Sequence, residues 1–468
     1  MKTLLRNLKI ILVFFLAVSL ALLAGLAVQH QRSLTRLYVA AGENKQALKT
    51  RYAQAGSIFD INGVILATSE DGERRYNKDK TTAKAVLQLV GDYTHNIDNT
   101  IEARYQATLL GSNRNILHQL FLDVQGSGLA GDDVTLTLDS QLCKKAWQLL
   151  DGEKGAIVLL NYQTGAIIAS VSSPSTSPAS VIAYEDIPDT ALYNRAFLGA
   201  YSPGSTFKIV TTAAILQSAP EWADREIACV GQKSVVPGGA SESGDGHGNV
   251  DLTDAFSESC NIYFGQAGIT LGGDALIQAA QNMGYGDTLK VDKLDVGLSR
   301  ISSPEEPATL SWLAIGQPAG SSTLVMTPLQ MAMMAGAIGN EGAMQQAHII
   351  DHLTNPIGMD YASLRVQTSR SLLSADNAAS LEDLLIEAVE NGTGSAAAIK
   401  GWTVAGKTGT VQVSGQKNNA LFVGYIVEDK MPLAIAVVVE GGGSGGRTAA
   451  PIAGALLKDA AAALSGKP

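Results

Sequence analysis

The sequence predicts an α+β protein, an antiparallel sheet with helices packed against it. Three observations lead there. Two β-rich runs, GAIVLLNYQTGAIIASVSSP from Gly155 onward, meet at a turn over Asn161–Gly165. A long, mostly helical stretch then runs from Gly204 to Gly342. Finally the apolar period drops to two in WTVAGKTGTVQV, ALFVGYIVED and PLAIAVVVEG, before a closing helix that starts at Pro451. Strands at both ends of a domain, with helices between them, suit one shared antiparallel sheet better than alternating βαβ units.

The elements follow in chain order. The twenty residues from Ile10 to Gln29 carry no charge, and at about 1.5 Å each they span about 30 Å, the thickness of a hydrocarbon core. Lys2, Arg6 and Lys9 lie on the flank that stays cytoplasmic. Gly25-Leu26-Ala27 offers a small-x-small cleavage site, but the apolar run exceeds the ~7–15 residues usual for a signal core. The expectation is an uncleaved, single-pass anchor over 1–31, with the remainder extracytoplasmic, where ATP is scarce. A polar region over 32–130 forms a smaller N-terminal domain. Within it, Asp60-Ile61-Asn62-Gly63 between apolar residues reads as a hairpin turn, Asn-Gly supplying positive φ. A weak helix follows over Asp79–Val90. The texture changes at Gly131-Asp132-Asp133, and 131–468 reads as the main domain. VTLTLD, 134–139, alternates as a strand, and Ser140 is placed to cap a helix to Leu150. Residues 172–180 read as a polar surface loop. Met326–Ile338 reads as a buried helix with Pro328 in its first turn, and Ser374–Glu390 as an amphipathic one with Leu381, Leu384, Leu385 and Val389 inward.

Composition narrows the function. The 468 residues are 46% hydrophobic, with a net charge of −10. An acidic surface is a poor partner for nucleic acid, and an anionic substrate would need a local cation. Cys143, Cys229 and Cys260 match no zinc-module spacing, and their odd number argues against a disulfide framework. Cys229 and Cys260 read as small buried residues, and His247 as structural. No cofactor or metal is expected.

GWTVAGKTGT, residues 401–410, fits the phosphate-loop pattern G-x-x-x-x-G-K-[ST] letter for letter. A phosphate loop needs a strand before it and a helix N-terminus after it, because loop amides and the helix end hold the anion. Here a helix and the loop NGTGSAAAIK precede Gly401, while Trp402–Ala405 and the GTVQV that follows Thr408 read as strand. A nucleotide site is therefore rejected. The same letters contain Lys407-Thr408-Gly409, a triplet of active-site serine enzymes that attack β-lactams and D-alanyl peptides.

That reading needs partners. Ser-x-x-Lys occurs as Ser205-Thr206-Phe207-Lys208 and as Ser414-Gly415-Gln416-Lys417. The second sits in a polar turn. The first opens an apolar helix, where positions i and i+3 share a face, so Lys208 lies beside the Ser205 hydroxyl. A serine is a weak nucleophile until a base takes its proton. A lysine can be that base when burial or a second cation, here Lys407, lowers its pKa. Ser259-Cys260-Asn261 supplies Ser-x-Asn, and the order 205, 259, 407 completes the set.

With those motifs in place the sequence resembles a penicillin-binding protein, more closely the monofunctional class B peptidoglycan D,D-transpeptidases. LYNRAFLGAYSPGSTFK at 192–208, HGNVDLTDAFSESCNIYF at 247–264, AIGQ at 314–317, MTPLQMAMMAGAIGNEG at 326–342 and VAGKTGT at 404–410 carry the resemblance. GSIFDINGVILA adds to it, although Ala55 and Ile61 stand where the family has arginine. The resemblance implies a pedestal or dimerisation-like N-terminal domain over 32–130 and a transpeptidase domain over 131–468. It implies Ser205 as acylated nucleophile, Lys208 as its base and Ser259 as proton relay polarised by Lys407. Asn261 would hold Lys208 and the substrate amide. Thr408 and Thr410, flanking Gly409, would bind the terminal carboxylate. The amides of Ser205 and Thr410 would form the oxyanion hole, where one donor is worth about 2.7–4 kcal/mol. Implied partners are the D-Ala-D-Ala stem peptide, β-lactams, the membrane and wall-synthesis or division proteins. A D,D-carboxypeptidase or β-lactamase of the same fold, or a non-catalytic β-lactam sensor, remains the alternative.

Overall fold

The computed structural model describes residues 2–41, 52, 54–92, 96–127, 130–178, 190–231, 233–302, 305–361 and 368–466. Its centre is a five-stranded antiparallel sheet in the order Val404–Val411, Asn419–Ile426, Leu433–Val439, Gly155–Asn161, Ile167–Ser173. The two strand groups thus join between Leu433–Val439 and Gly155–Asn161, as the α+β pattern requires. Every residue of Leu433–Val439 and of Ile167–Ser173 is buried, so both faces of the sheet are covered. Helix Pro328–Gly339 packs with Ala375–Glu390 in one layer. Ser140–Leu150 and Ala450–Ser465 form the other, with Lys145 bridging to Asp459 at 3.1 Å.

Local chemistry explains the helix starts. Thr327 caps Pro328–Gly339 and Ser374 caps Ala375–Glu390, each hydroxyl accepting from the third amide onward. At Ser140–Leu150 the cap is Asp139, not Ser140: the carboxylate accepts from the amides of Gln141 and Leu142. Ser140 instead donates its hydroxyl to Asp60 Oδ2 at 2.6 Å. Asp60 Oδ1 in turn accepts from the amides of Asn62 and Val64, and Gly63 has φ +75°. The expected hairpin turn is therefore present, and Asp60 ties it to the helix Ser140–Leu150.

VTLTLD forms the strand Asp133–Leu136, but outside the central sheet. It runs parallel to Ile58–Phe59 and antiparallel to Ile350–Thr354 in a second, six-stranded sheet. From the edge strand Glu73–Tyr76 of that sheet, Arg74 Nε meets Glu102 Oε1 at 2.7 Å and the Tyr76 hydroxyl donates to Glu102 Oε2 at 2.7 Å, all buried. The loop expected over 172–180 begins later, because Ser172 and Ser173 end a buried strand; residues 179 and 180 lie outside the described residues. At the N-terminus, Lys2–Ala41 is one helix. Its segment Arg6–Ala27 has a mean hydropathy of 2.9 and none of it is buried against the rest of the chain, long and apolar enough to cross a membrane.

Candidate active site

Strand Val404–Val411 is the edge of the central sheet that faces the helical region. Gly406, Lys407, Thr408 and Gly409 pair in register with Gly424, Val423, Phe422 and Leu421, so the lysine stands in a strand, not at a helix N-terminus. Gly401, with φ +87° and open space around it, only turns the chain into that strand. Gly409 has a different task. A Cβ there would come within 2.8 Å of the Pro203 carbonyl oxygen and 3.1 Å of Leu421, so the absent side chain lets the strand press against the turn that carries Ser205.

That turn is a 3₁₀ segment, Gly204–Phe207, running into the helix Lys208–Ser218. Gly204 has φ +53° and donates its amide to the Gly316 carbonyl at 3.0 Å. The next residue, Gln317, donates from Nε2 to the Thr410 carbonyl at 3.0 Å. The AIGQ block thus clamps both walls, the nucleophile turn and the edge strand. Within a strand the N–H and C=O of one residue point the same way. With its carbonyl taken by Gln317, Thr410 therefore also presents its N–H outward from the sheet.

Lys208 is fully buried. Its Nζ donates to the Ser259 carbonyl at 2.5 Å, Ser259 Oγ at 3.1 Å and Asn261 Oδ1 at 2.9 Å. Among the described residues it makes no hydrogen bond to Ser205. Burial lowers its pKa to about 8, against a smaller opposing pull from Glu242. Ser259 links the helices Leu252–Ser257 and Asn261–Asn282 and has φ +61°. That left-handed conformation is uncommon for a serine and is held by its surroundings. Asn261 is fixed in turn: Nδ2 donates to the Ser241 carbonyl at 3.0 Å and its amide donates to Glu242 Oε2 at 2.8 Å.

Lys407 is equally buried, yet among the described residues its Nζ has no hydrogen-bond partner. It sits 5.3 Å from the centre of the Phe256 ring. Burial, and then the neighbouring Lys208, hold its pKa well below the ordinary lysine value. The hydroxyl of Thr408 lies 2.8 Å from that of Thr393, and Thr410 Oγ1 accepts from the Gly445 amide at 3.2 Å. Ser205, Ser259, Thr393, Thr408, Thr410 and Arg447 line one open cleft of about 360 Å³. By contrast, Ser414 and Lys417 lie exposed in a turn.

The structure thus brings all eight sequence-predicted positions, Ser205, Lys208, Ser259, Asn261, Lys407, Thr408, Gly409 and Thr410, around one cleft. Sequence reasoning passed over Gln317, Thr393 and Arg447. Gln317 had a signal, standing at the end of AIGQ; Thr393, in a glycine-rich loop, and Arg447, in the short π-helical turn Gly445–Ala449, are single polar residues with no spacing rule to mark them.

Such a cleft offers a serine, a buried amine poised near neutral pH, an outward backbone donor at Thr410 and hydroxyls for a carboxylate, which is the equipment of acyl transfer. Comparison with known proteins agrees. Residues 155–458 match the family described as the penicillin binding protein transpeptidase domain. The peptidoglycan D,D-transpeptidase PbpA of Mycolicibacterium smegmatis is 30% identical over 91% of this chain and 94% of its own. MrdA of Acinetobacter baumannii, also a peptidoglycan D,D-transpeptidase, is 28% identical over 86% of this chain and 64% of its own. Among solved structures, penicillin-binding protein A of Mycobacterium tuberculosis in its ceftriaxone acyl-enzyme complex superposes with a TM-score of 0.78, at 28% identity over 88% of this chain and 99% of that one. A D,D-transpeptidase domain from Eggerthella lenta gives 0.73, at 30% identity over 88% and 99%.

Proposed function

The chain belongs to the penicillin-binding protein transpeptidase family, and from that premise we propose how its residues carry the reaction. The protein is a serine-type peptidoglycan D,D-transpeptidase that forms β-lactam acyl-enzymes. In our reading Ser205 Oγ attacks the carbonyl between the two D-alanines of a stem peptide, and neutral Lys208 accepts its proton. The amides of Ser205 and Thr410 hold the developing oxyanion. The C–N bond breaks, the proton passes by way of Ser259 to the leaving amine, and D-alanine departs. An amine of a second stem peptide then attacks the ester, gives up a proton along the same route and releases Ser205.

The observation that carries this reading is Lys208, buried and held on Ser259 and Asn261 with a pKa brought down to about 8. At pH 7 about a tenth of it is then a free amine able to accept a proton. The orphaned Nζ of Lys407 gains a partner when Ser259 or substrate rotates toward it. We assign the terminal carboxylate to Thr408 and Thr410, with exposed Arg447 as the cation that an acidic protein needs near an anionic substrate.

The protein is membrane-bound. We assign residues 1–31 to a cytoplasmic tail and a single span, 32–130 to a pedestal or dimerisation-like domain and 131–468 to the transpeptidase domain outside the membrane. External protease on spheroplasts then digests the chain beyond about His30; a mature N-terminus at Val28 would instead mean a cleaved signal. The catalytic reading is tested with full-length protein, a pentapeptide stem and an added amine acceptor. The expected result is D-alanine release with a cross-linked product. Release without any cross-linked product at saturating acceptor would make it a carboxypeptidase.

A further inference from the structure

The segment that leads into Ser205 is tied to the central sheet at one acidic residue that the acyl-transfer chemistry does not use. Glu440 follows the last residue of the strand Leu433–Val439 and extends its ladder, its amide donating to the Lys154 carbonyl at 2.7 Å. One carboxylate oxygen, Oε1, takes two donors from that segment: Arg195 Nε at 2.8 Å and the Tyr201 hydroxyl at 2.7 Å. We propose that Glu440 is a positioning residue for the nucleophile, fixing the segment 195–205 against the sheet so that Ser205 faces the Thr410 amide on the edge strand.

Both donors are committed to it. The Arg195 side chain is 5% exposed, and its other two nitrogens donate to the Thr190 carbonyl at 3.2 Å and the Thr190 hydroxyl at 2.6 Å. Without Glu440 a buried cation would lose its counter-charge. Burial, and then Glu440, push the pKa of Tyr201 up, so its hydroxyl stays a donor. The backbone of Tyr201 pairs with Met326 in both directions, at 3.1 and 2.8 Å. Its main chain therefore belongs to the approach to helix Pro328–Gly339, while its side chain reaches the end of the sheet. The six residues after Glu440, GGGSGG, carry one side chain among them, so the grip falls on Glu440.

The place of this contact gives it a consequence. Ser205 and the Thr410 amide stand on different pieces of chain, the nucleophile turn and the edge strand, and acyl transfer needs both around one carbonyl. Gly204, bonded to Gly316, holds the turn on one side. Tyr201 holds it on the other, with only Ser202 and Pro203 between the two ties. Among the described residues the Tyr201 hydroxyl makes no hydrogen bond except to Glu440. Glu440 touches no substrate and acts through Ser205, so its loss slows the chemistry without weakening binding.

The proposal rests on Ser205 as the acylated residue, and the experiment separates the two. Stopped-flow mixing of the full-length protein in detergent with a fluorescent penicillin yields a dissociation constant and a limiting acylation rate for the titrated active fraction. Tyr201→Phe removes one hydroxyl and leaves the ion pair. Its limiting rate should fall about fivefold, the worth of one hydrogen bond, with the dissociation constant within about twofold and the melting temperature nearly unchanged. Glu440→Ala should lower the rate by about tenfold to a hundredfold, the cost of a small misplacement. Glu440→Gln keeps an acceptor oxygen and should recover part of that loss. The double variant Glu440→Ala/Tyr201→Phe should be no slower than Glu440→Ala, because both changes act through one oxygen. Glu440→Ala is open to misfolding; Tyr201→Phe keeps the proposal falsifiable. A limiting rate for Tyr201→Phe within about twofold of wild type would overturn it, and so would a loss confined to the dissociation constant. A double variant whose loss is the product of the two single losses would overturn it as well. Wild-type protein that takes up no penicillin would overturn the reading of Ser205 and this proposal together.

Discussion

On the helical wall of the cleft, Lys208 spends its donors on Ser259 and Asn261; on the strand wall, Lys407 is as deeply buried and has no acceptor among the described residues. Burial lowers the pKa of both, and Lys208 lowers that of Lys407 further. The contrast shows how one cleft divides two jobs between two identical side chains. Lys208 is held in one place by a backbone turn, an asparagine and the loop behind them, which suits a base that must meet Ser205 in one geometry. Lys407 is held only by its strand and by packing near Phe256, which suits a group whose partner arrives with the substrate or with a rotation of Ser259.

Lys208→Arg should break this contrast most severely. Arginine keeps the charge and the donors but does not give up its proton, so β-lactam acylation should fall by about a hundredfold to ten-thousandfold, the range for loss of general-base assistance. Stopped-flow acylation with a fluorescent penicillin measures it; activity within tenfold of wild type would remove Lys208 from the base role. Lys407→Ala comes next. The missing contact to Ser259 or substrate, worth about 1.5–3 kcal/mol, and a less polarised Ser259 should slow acylation by about a hundredfold. The melting temperature should change little, because the lost Nζ has no partner among the described residues.

The pH profile sharpens the comparison at smaller scale. A lysine with a depressed pKa is protonated below that value and neutral above it. Acylation should therefore rise with pH, about fivefold from pH 7 to pH 8, and level off above pH 9. A profile flat from pH 6 to pH 9 would mean that the titration of Lys208 does not limit the reaction. Arg447→Ala should have the smallest effect, a few-fold rise in KM for carboxylate-bearing substrates with kcat held, because an exposed cation is screened by solvent.

Much of the fold and of the site is legible in the sequence. The five sheet strands and the helices over 326–338 and 374–390 follow from periodicity, because each buries a continuous apolar face. The three motifs could be placed because helix and strand spacing decide which side chains meet. Asp139 displaced Ser140 as cap because Ser140 has a better partner in Asp60, eighty positions away. The strand Asp133–Leu136 left the central sheet because it pairs with Ile350–Thr354, and no local pattern encodes a pairing across the whole domain. Thr393 and Arg447 reach the cleft, and Gln317 its strand wall, from three separate connecting segments.

The central claim is that the Ser-x-x-Lys pair at 205–208, and not its twin at 414–417, performs acyl transfer. Intact-mass analysis of the full-length protein after reaction with penicillin, followed by peptide mapping, tests it most directly. One adduct per chain on Ser205, abolished by Ser205→Ala and untouched by Ser414→Ala, is the predicted result. An adduct on Ser414, or no adduct on folded wild-type protein, would contradict it.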